Sequence, residues 1–153
     1  MARRVRRPTD TEEVVELLSQ EGREPGPFPR IVDILVFAAS LGFQRQKREP
    51  FEPLRGKEIR FELFKEAHYE DIVNMMALAV YKDPVILGDD DENFEKRIAV
   101  FEEFANGGLK IIKREIVDKG MDILDGIIGL IQQGRSPEKD AEPMDLRGLV
   151  AEL

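Results

Sequence analysis

The chain predicts a mostly α fold: a compact multi-helix, bundle-like domain with flexible termini and at most one short strand or hairpin around residues 44–64. Three observations carry this expectation. Apolar residues recur at spacings of three and four through most of the chain. Acidic or hydroxyl side chains stand where helices would begin, and proline or glycine punctuates the stretches between them. With 153 residues, 42% of them hydrophobic and 35% charged, there is material for one domain with a real core and a heavily charged surface.

The elements follow in order. Thr9 with Glu12, or Asp10 with Glu13, makes a capping box that opens a first helix. Its apolar face would be Val14, Leu17 and Leu18, with Gly22 as the stop. Glu24-Pro25-Gly26-Pro27 reads as a rigid connector. Arg30–Leu41 is a second helix, apolar except at Asp33 and Ser40, hence buried on most sides. Gly42 suits the left-handed position that ends such a helix. Residues 44–57 read as a polar, basic loop. Ile59, Phe61 and Leu63 alternate with Arg60 and Glu62, which fits an edge strand or a short helical turn; no strand partner stands nearby.

Glu70–Lys82 is a third helix, striped by Ile72, Val73, Met76 and Val80 and stopped by Pro84. Asp89-Asp90-Asp91-Glu92 opens a fourth, where acids suit the positive end of the helix dipole. Phe94, Ile98, Phe101 and Ala105 form its stripe, and Asn106-Gly107-Gly108 reads as a break or kink. A stripe from Leu109 to Leu130 then continues to Gly134, with Gly120, Gly126 and Gly129 leaving small patches for close packing. The expected organisation is a helical domain at 8–133, a basic arm at 1–7, and a polar tail at 134–153. Within that tail, Leu146, Leu149, Val150 and Leu153 suit a short amphipathic helix.

Charge and composition narrow the function. The net charge of −8 divides unevenly: residues 1–65 carry +2 and residues 66–153 carry −10. An acidic bulk repels polyanions, so any nucleic-acid contact falls to the N-terminal half. The candidates there are Arg3, Arg4, Arg6 and Arg7 on the arm, and Arg45, Lys47, Arg48, Arg55 and Lys57 on the loop, since Arg and Lys side chains contact phosphates. With no cysteine, disulfides and thiolate metal sites are excluded. The run Ile31–Leu41 is too short to span a bilayer. No apolar stretch follows the arginine-rich start, so no secretory signal is expected. The default is a cytoplasmic protein.

Catalytic signals are weak. The one histidine, His68, has Glu70 and Asp71 close by, but no serine or cysteine nucleophile is marked by context. Asp89–Glu92 offers oxygen ligands for a hard cation such as Mg²⁺, yet lacks the spacing of a calcium loop and reads as a solvated cap. Glu62 and Lys65 resemble the end of a nuclease site without its preceding metal-binding Asp. Gly107-Gly108 matches no phosphate-cradling pattern and suits a tight helix junction, where a Cβ would block backbone approach. No catalytic, cofactor or metal residues are expected.

Two phrases carry a resemblance. One is Pro27-Phe28-Pro29-Arg30, the apolar run to Leu41, then Gly42-Phe43 and Gln44-Arg45-Gln46-Lys47-Arg48. The other is Val100-Phe101-Glu102-Glu103-Phe104-Ala105-Asn106-Gly107-Gly108-Leu109. With Arg3-Arg4-Val5-Arg6-Arg7-Pro8 and Arg48-Glu49-Pro50, they make the chain resemble the DNA phosphorothioation-associated protein 4 family over about residues 3–133. That family is a small accessory of bacterial Dnd loci. Such loci replace a non-bridging phosphate oxygen of DNA with sulfur and often carry linked restriction. The resemblance implies a place in such a system; the favoured reading is a non-enzymatic accessory protein in phage defence, working with other proteins of the system, with DNA, or with both. The alternatives are a small DNA-binding regulator and, less favoured, a nuclease-like effector. Helix 30–41 is too apolar to serve as an exposed recognition helix, which counts against the regulator.

Overall fold

A computed structural model describes residues 3–21, 24–53 and 55–135. Among the described residues, six α-helices and one two-stranded antiparallel sheet make up the fold, mostly α as the sequence predicts. The helices are α1 Glu12–Leu18, α2 Ile31–Gln44, α3 Phe61–Glu66, α4 Glu70–Tyr81, α5 Asp91–Ile112 and α6 Ile123–Gly134. No helix among the described residues is long and apolar enough to cross a membrane.

The centre of the molecule is the crossing of α2 and α5. Val32, Ile34, Leu35, Ala38 and Ala39 of α2 are almost wholly buried, as are Phe94, Ile98, Phe101, Phe104 and Leu109 of α5. The two helices run antiparallel where they meet, and they meet at glycine. A Cβ on Gly108 would overlap the Ala38 carbonyl and stand 2.9 Å from the Ala38 Cα. A Cβ on Gly42 would overlap the Phe104 carbonyl. Backbones this close require residues without side chains on both helices.

Two expectations are thereby corrected. Gly42 does not end α2; the helix runs on to Gln44, and the left-handed residue is Gln46, φ 54°. Asn106-Gly107-Gly108 is no break, because α5 passes through it without interruption. Local sequence marks glycine as a helix breaker, whereas a packed neighbour makes it a contact surface.

Residues 3–7 are not a free arm. Arg4–Val5 (β1) pairs with Ile59–Arg60 (β2), and Val5 is 1% exposed. The pairing continues through a Pro8–Pro53 bridge and a Thr9 amide that donates to the Glu52 carbonyl at 3.1 Å. The partner missing from the 59–63 alternation is therefore the chain's own beginning. After Arg60 that alternation gives way to α3, whose Phe61 and Phe64 join Phe94 and Phe101 in a chain of ring contacts 5.0–5.9 Å apart.

The first helix is shorter than expected, ending at Leu18; Gly22 lies outside the described residues. Neither capping box forms. Long-range partners take those side chains instead: Thr9 Oγ1 donates to the Glu52 carbonyl, and Asp10 pairs with Lys110. Val15 is buried, and Leu17 is 43% exposed in its place. The later elements follow expectation more closely. Lys82 closes α4 in the left-handed conformation, and Asp90 caps α5 by accepting from the Asn93 amide at 3.0 Å.

One further correction falls after Ile112. The stripe from Leu109 to Leu130 is not one helix. A π turn at Lys113–Val117 and a reversal at Gly120, φ 67°, separate α5 from α6. Gly126 then packs on the Ile116 side chain, while Gly129 faces open space. The tail from Ser136, with its expected amphipathic segment, lies outside the described residues.

A paired substitution tests the crossing. Gly108→Ala places a methyl group against backbone that cannot yield, and is expected to cost at least about 2 kcal/mol. Gly129→Ala meets nothing and gains helix propensity, so it is expected to stabilise by about 0.5–1 kcal/mol. Chemical denaturation of the two variants measures both.

Candidate functional site

The most recognisable sequence phrase, residues 105–109, is wholly buried, so it acts on the protein itself. Asn106 is its polar member, at 0% exposure. Its Oδ1 accepts from the Thr11 hydroxyl at 2.9 Å. Its Nδ2 donates to the Glu49 carbonyl at 3.2 Å. One amide thus ties the start of α1 and the basic loop to α5. Next to it, Gly107 has no Cβ, which lets the Lys47 carbonyl lie against α5. The Glu49 amide donates to the Glu103 carbonyl at 3.0 Å. The phrase is a clamp for the loop that carries Arg45, Lys47 and Arg48.

The nine candidate cations separate into two groups. Arg3 stacks 4.3 Å over Phe94, donates to the Asp89 carbonyl at 2.5 Å, and faces the Asp91 carboxylate at 3.5 Å. Arg6 grips Glu102 from Nε and Nη2, the closest contact being 2.8 Å. Arg7 and Lys57 share the Glu12 carboxylate. Arg45 binds Glu115 and donates to Gln133 at 3.2 Å. Arg48 binds Glu103 at 2.9 Å. Arg4, Lys47 and Arg55 have no ion-pair partner among the described residues. Arg4 stands exposed across the sheet from Arg60, which is equally without one.

Apart from Glu12, five positions from Arg7, these counter-ions were not visible to sequence reasoning because they lie far off along the chain; Arg6 and Glu102 are 96 positions apart. Glu102 is the most buried of them, its side chain 1% exposed. Burial pushes its carboxyl above the ordinary range, and the Arg6 side chain and backbone N–H offset part of that rise. A buried Arg97 was also missed. It donates to the carbonyls of Ile86 and Gly88 at 2.7 and 2.8 Å, and so closes the short turn Pro84–Leu87.

The remaining catalytic candidates are dispersed. His68 is exposed in a left-handed turn between α3 and α4. Glu62 and Lys65 lie on the exposed side of α3, on a helix rather than a strand. Asp90 is a helix cap, its carboxyl held below the usual range by the Asn93 side chain and amide. Among the described residues no group of three or more His, Asp or Glu is placed to hold a metal ion.

A groove of about 1110 Å³ lies between α1, the entry to α2, and α3. Val15, Leu17, Ile31, Val32 and Leu63 are in its apolar lining; its charged lining includes the exposed Glu16, Glu21, Glu24 and Glu66 together with Arg7, Arg30 and Lys57. Nothing in the sequence pattern announced it, although the exposure of Leu17 in place of Val15 is its local sign. A second exposed apolar feature runs along α6 through Leu124, Ile128 and Ile131, with Met121 just before the helix.

A family model described as DNA sulphur modification system-associated protein 4 matches residues 4–149. The chain belongs to that family. The match reaches past the tail boundary drawn at Gly134, so most of the tail is family sequence as well. The description ties the family to a DNA sulphur modification system. No curated protein and no solved structure matches the chain.

The Arg6–Glu102 pair can be tested directly. Arg6→Met leaves a buried carboxylate with too few donors and is expected to cost about 2 kcal/mol. Adding Glu102→Gln should recover most of it, which a double-mutant cycle measures. Because the folded carboxyl is raised, folded protein holds the Glu102 proton more tightly than unfolded protein does. Its contribution to stability therefore falls as pH rises through and above its ordinary value of 4.5. Relative to wild type, Glu102→Gln should gain stability between that pH and neutrality.

Proposed function

We propose that this chain is a non-catalytic accessory protein of a DNA sulphur modification system, or of restriction linked to it, that works by binding a partner protein. The family supplies the system. The observation that carries the molecular reading is the state of the basic residues. Six of the nine candidate cations are neutralised by carboxylates or fixed on rings of the same domain, while an open groove and an apolar helix face stay uncovered among the described residues. Exposed, contiguous apolar surface of this kind marks sites of association. The protein would act in the cytoplasm, beside the DNA that such a system modifies, and in phage defence where restriction accompanies modification.

A second reading has one observation in its favour. Arg4 and Arg60, both exposed, are paired across the two strands, and like charges so placed repel. A phosphate between them would relieve that repulsion, so weak DNA contact is the alternative act.

Co-expression with the proteins encoded at its own locus is expected to recover a stable complex. A gel shift with duplex DNA should show at most weak binding that vanishes as salt rises. Binding that persists at moderate salt and is lost on Arg4→Ala/Arg60→Ala would favour the second reading. Plasmid DNA, with and without phosphorothioate, should stay intact with the purified protein and Mg²⁺ or Mn²⁺. Specific cleavage abolished by Asp89→Ala/Asp91→Ala would overturn the non-catalytic assignment.

A further inference from the structure

The groove beside α1 has the form and charge of a peptide-binding surface. Its volume of about 1110 Å³ is at or above the upper end of the roughly 300–1,000 Å³ usual for small-molecule sites. Its floor is apolar: Val15 and Val32 are buried, Ile31 and Leu63 half-buried, and Leu17 is 43% exposed. Its edges are acidic. Glu16, Glu21, Glu24 and Glu66 are all exposed, and none has an ion-pair partner among the described residues.

The cations that line the groove offset only part of those charges, since Arg7 and Lys57 together leave one positive charge over Glu12. Arg7 and Lys57 are both committed to Glu12, and Arg30 is committed to Asp33 at 2.9 Å. Among the described residues the groove therefore presents an apolar strip bounded by a net negative charge. In its wall the Arg7 Nε–H and Glu12 Oε2 are buried without hydrogen-bond partners. Buried polar atoms rarely stay unpaired. This donor and acceptor belong to the same Arg7–Glu12 ion pair, which is incompletely hydrogen-bonded.

We propose that this groove docks a basic amphipathic helix of a partner protein. Apolar anchors at helical spacing would cover Leu17, Ile31 and Leu63, as amphipathic helices do in apolar grooves. Lysines and arginines flanking that stripe would meet Glu16, Glu21, Glu24 and Glu66. Charge complementarity sets the sign of the occupant and speeds its encounter. The same field repels nucleic acid. This proposal rests on the protein-binding reading above and names its surface.

The test uses the full-length, ¹⁵N-labelled protein and two synthetic helical peptides of about four turns. Both carry leucines at the same helical spacing; one has Lys and Arg elsewhere, the other Glu. The basic peptide should shift the amides of residues 12–21, 24–32 and 57–66, and the acidic one should not. Glu16→Lys/Glu66→Lys should weaken binding at least tenfold, as should Leu17→Asp. All three side chains are exposed, so melting temperatures should stay close to that of the parent. Equal shifts with both peptides, shifts confined to α6, or no shifts at all would overturn the proposal. So would a DNA duplex that moves the same amides.

Co-expression separates this failure from that of the broader reading. If a partner encoded at the locus co-purifies equally with wild type and with Glu16→Lys/Glu66→Lys, the groove is not the site and the accessory role stands. If wild type retains none of the locus proteins, both fail.

Discussion

Everything else in this molecule is arranged around the contact of α2 with α5, where backbone meets backbone. Ala38 and Gly42 on one helix oppose Gly108 and Phe104 on the other, with no side chain interposed at either glycine. A crossing this close leaves little tolerance for sliding or rotation, because protein interiors are packed too densely to absorb a shift. It holds Asn106 and Gly107 against the loop that follows α2. Through that loop and Thr11 it also sets the position of α1. The groove is one step further out, built from α1, the entry to α2, and α3.

The same frame explains the charges. Sequence places an arginine-rich start and a basic loop on an acidic protein, which invites the picture of cationic appendages. The fold instead draws both into the domain and sets α5 carboxylates beneath them: Glu102 under Arg6 and Glu103 beside Arg48. A buried ion pair of this kind adds little net stability, yet losing one partner is costly because it leaves a buried charge unpaired. What the surface then offers is an acidic groove and an apolar stripe on α6, a combination better matched to protein than to nucleic acid.

Much of the fold was legible in the sequence because it is local. The cap at Asp90, the stop before Pro84 and the stripe of α4 each depend on residues within a turn or two. What could not be read depends on distant neighbours. Gly42 and Gly108 carry the same local signal as a helix stop, and only the opposing helix makes them a seat. Ile59 had no visible strand partner because its partner, Val5, lies at the other end of the N-terminal half. The cations were readable as candidates, but their carboxylates were not, since nothing in the stretch around Arg6 points to Glu102. The groove was unreadable for the same reason: it is a gap between three elements rather than a property of any one of them.

The central claim is that the basic segments belong to the folded core. Amide hydrogen exchange measures this most directly. The amides of Arg6, Thr9, Lys47 and Glu49 donate to Glu102, Glu52, Gly42 and Glu103 respectively. They should exchange as slowly as neighbouring α5 amides, and those of Lys47 and Glu49 should become fast in an Asn106→Ala variant that stays folded. Fast exchange of all four in the unaltered protein would contradict the account, since the arm and loop would then be the loose cationic appendages that the sequence alone suggests.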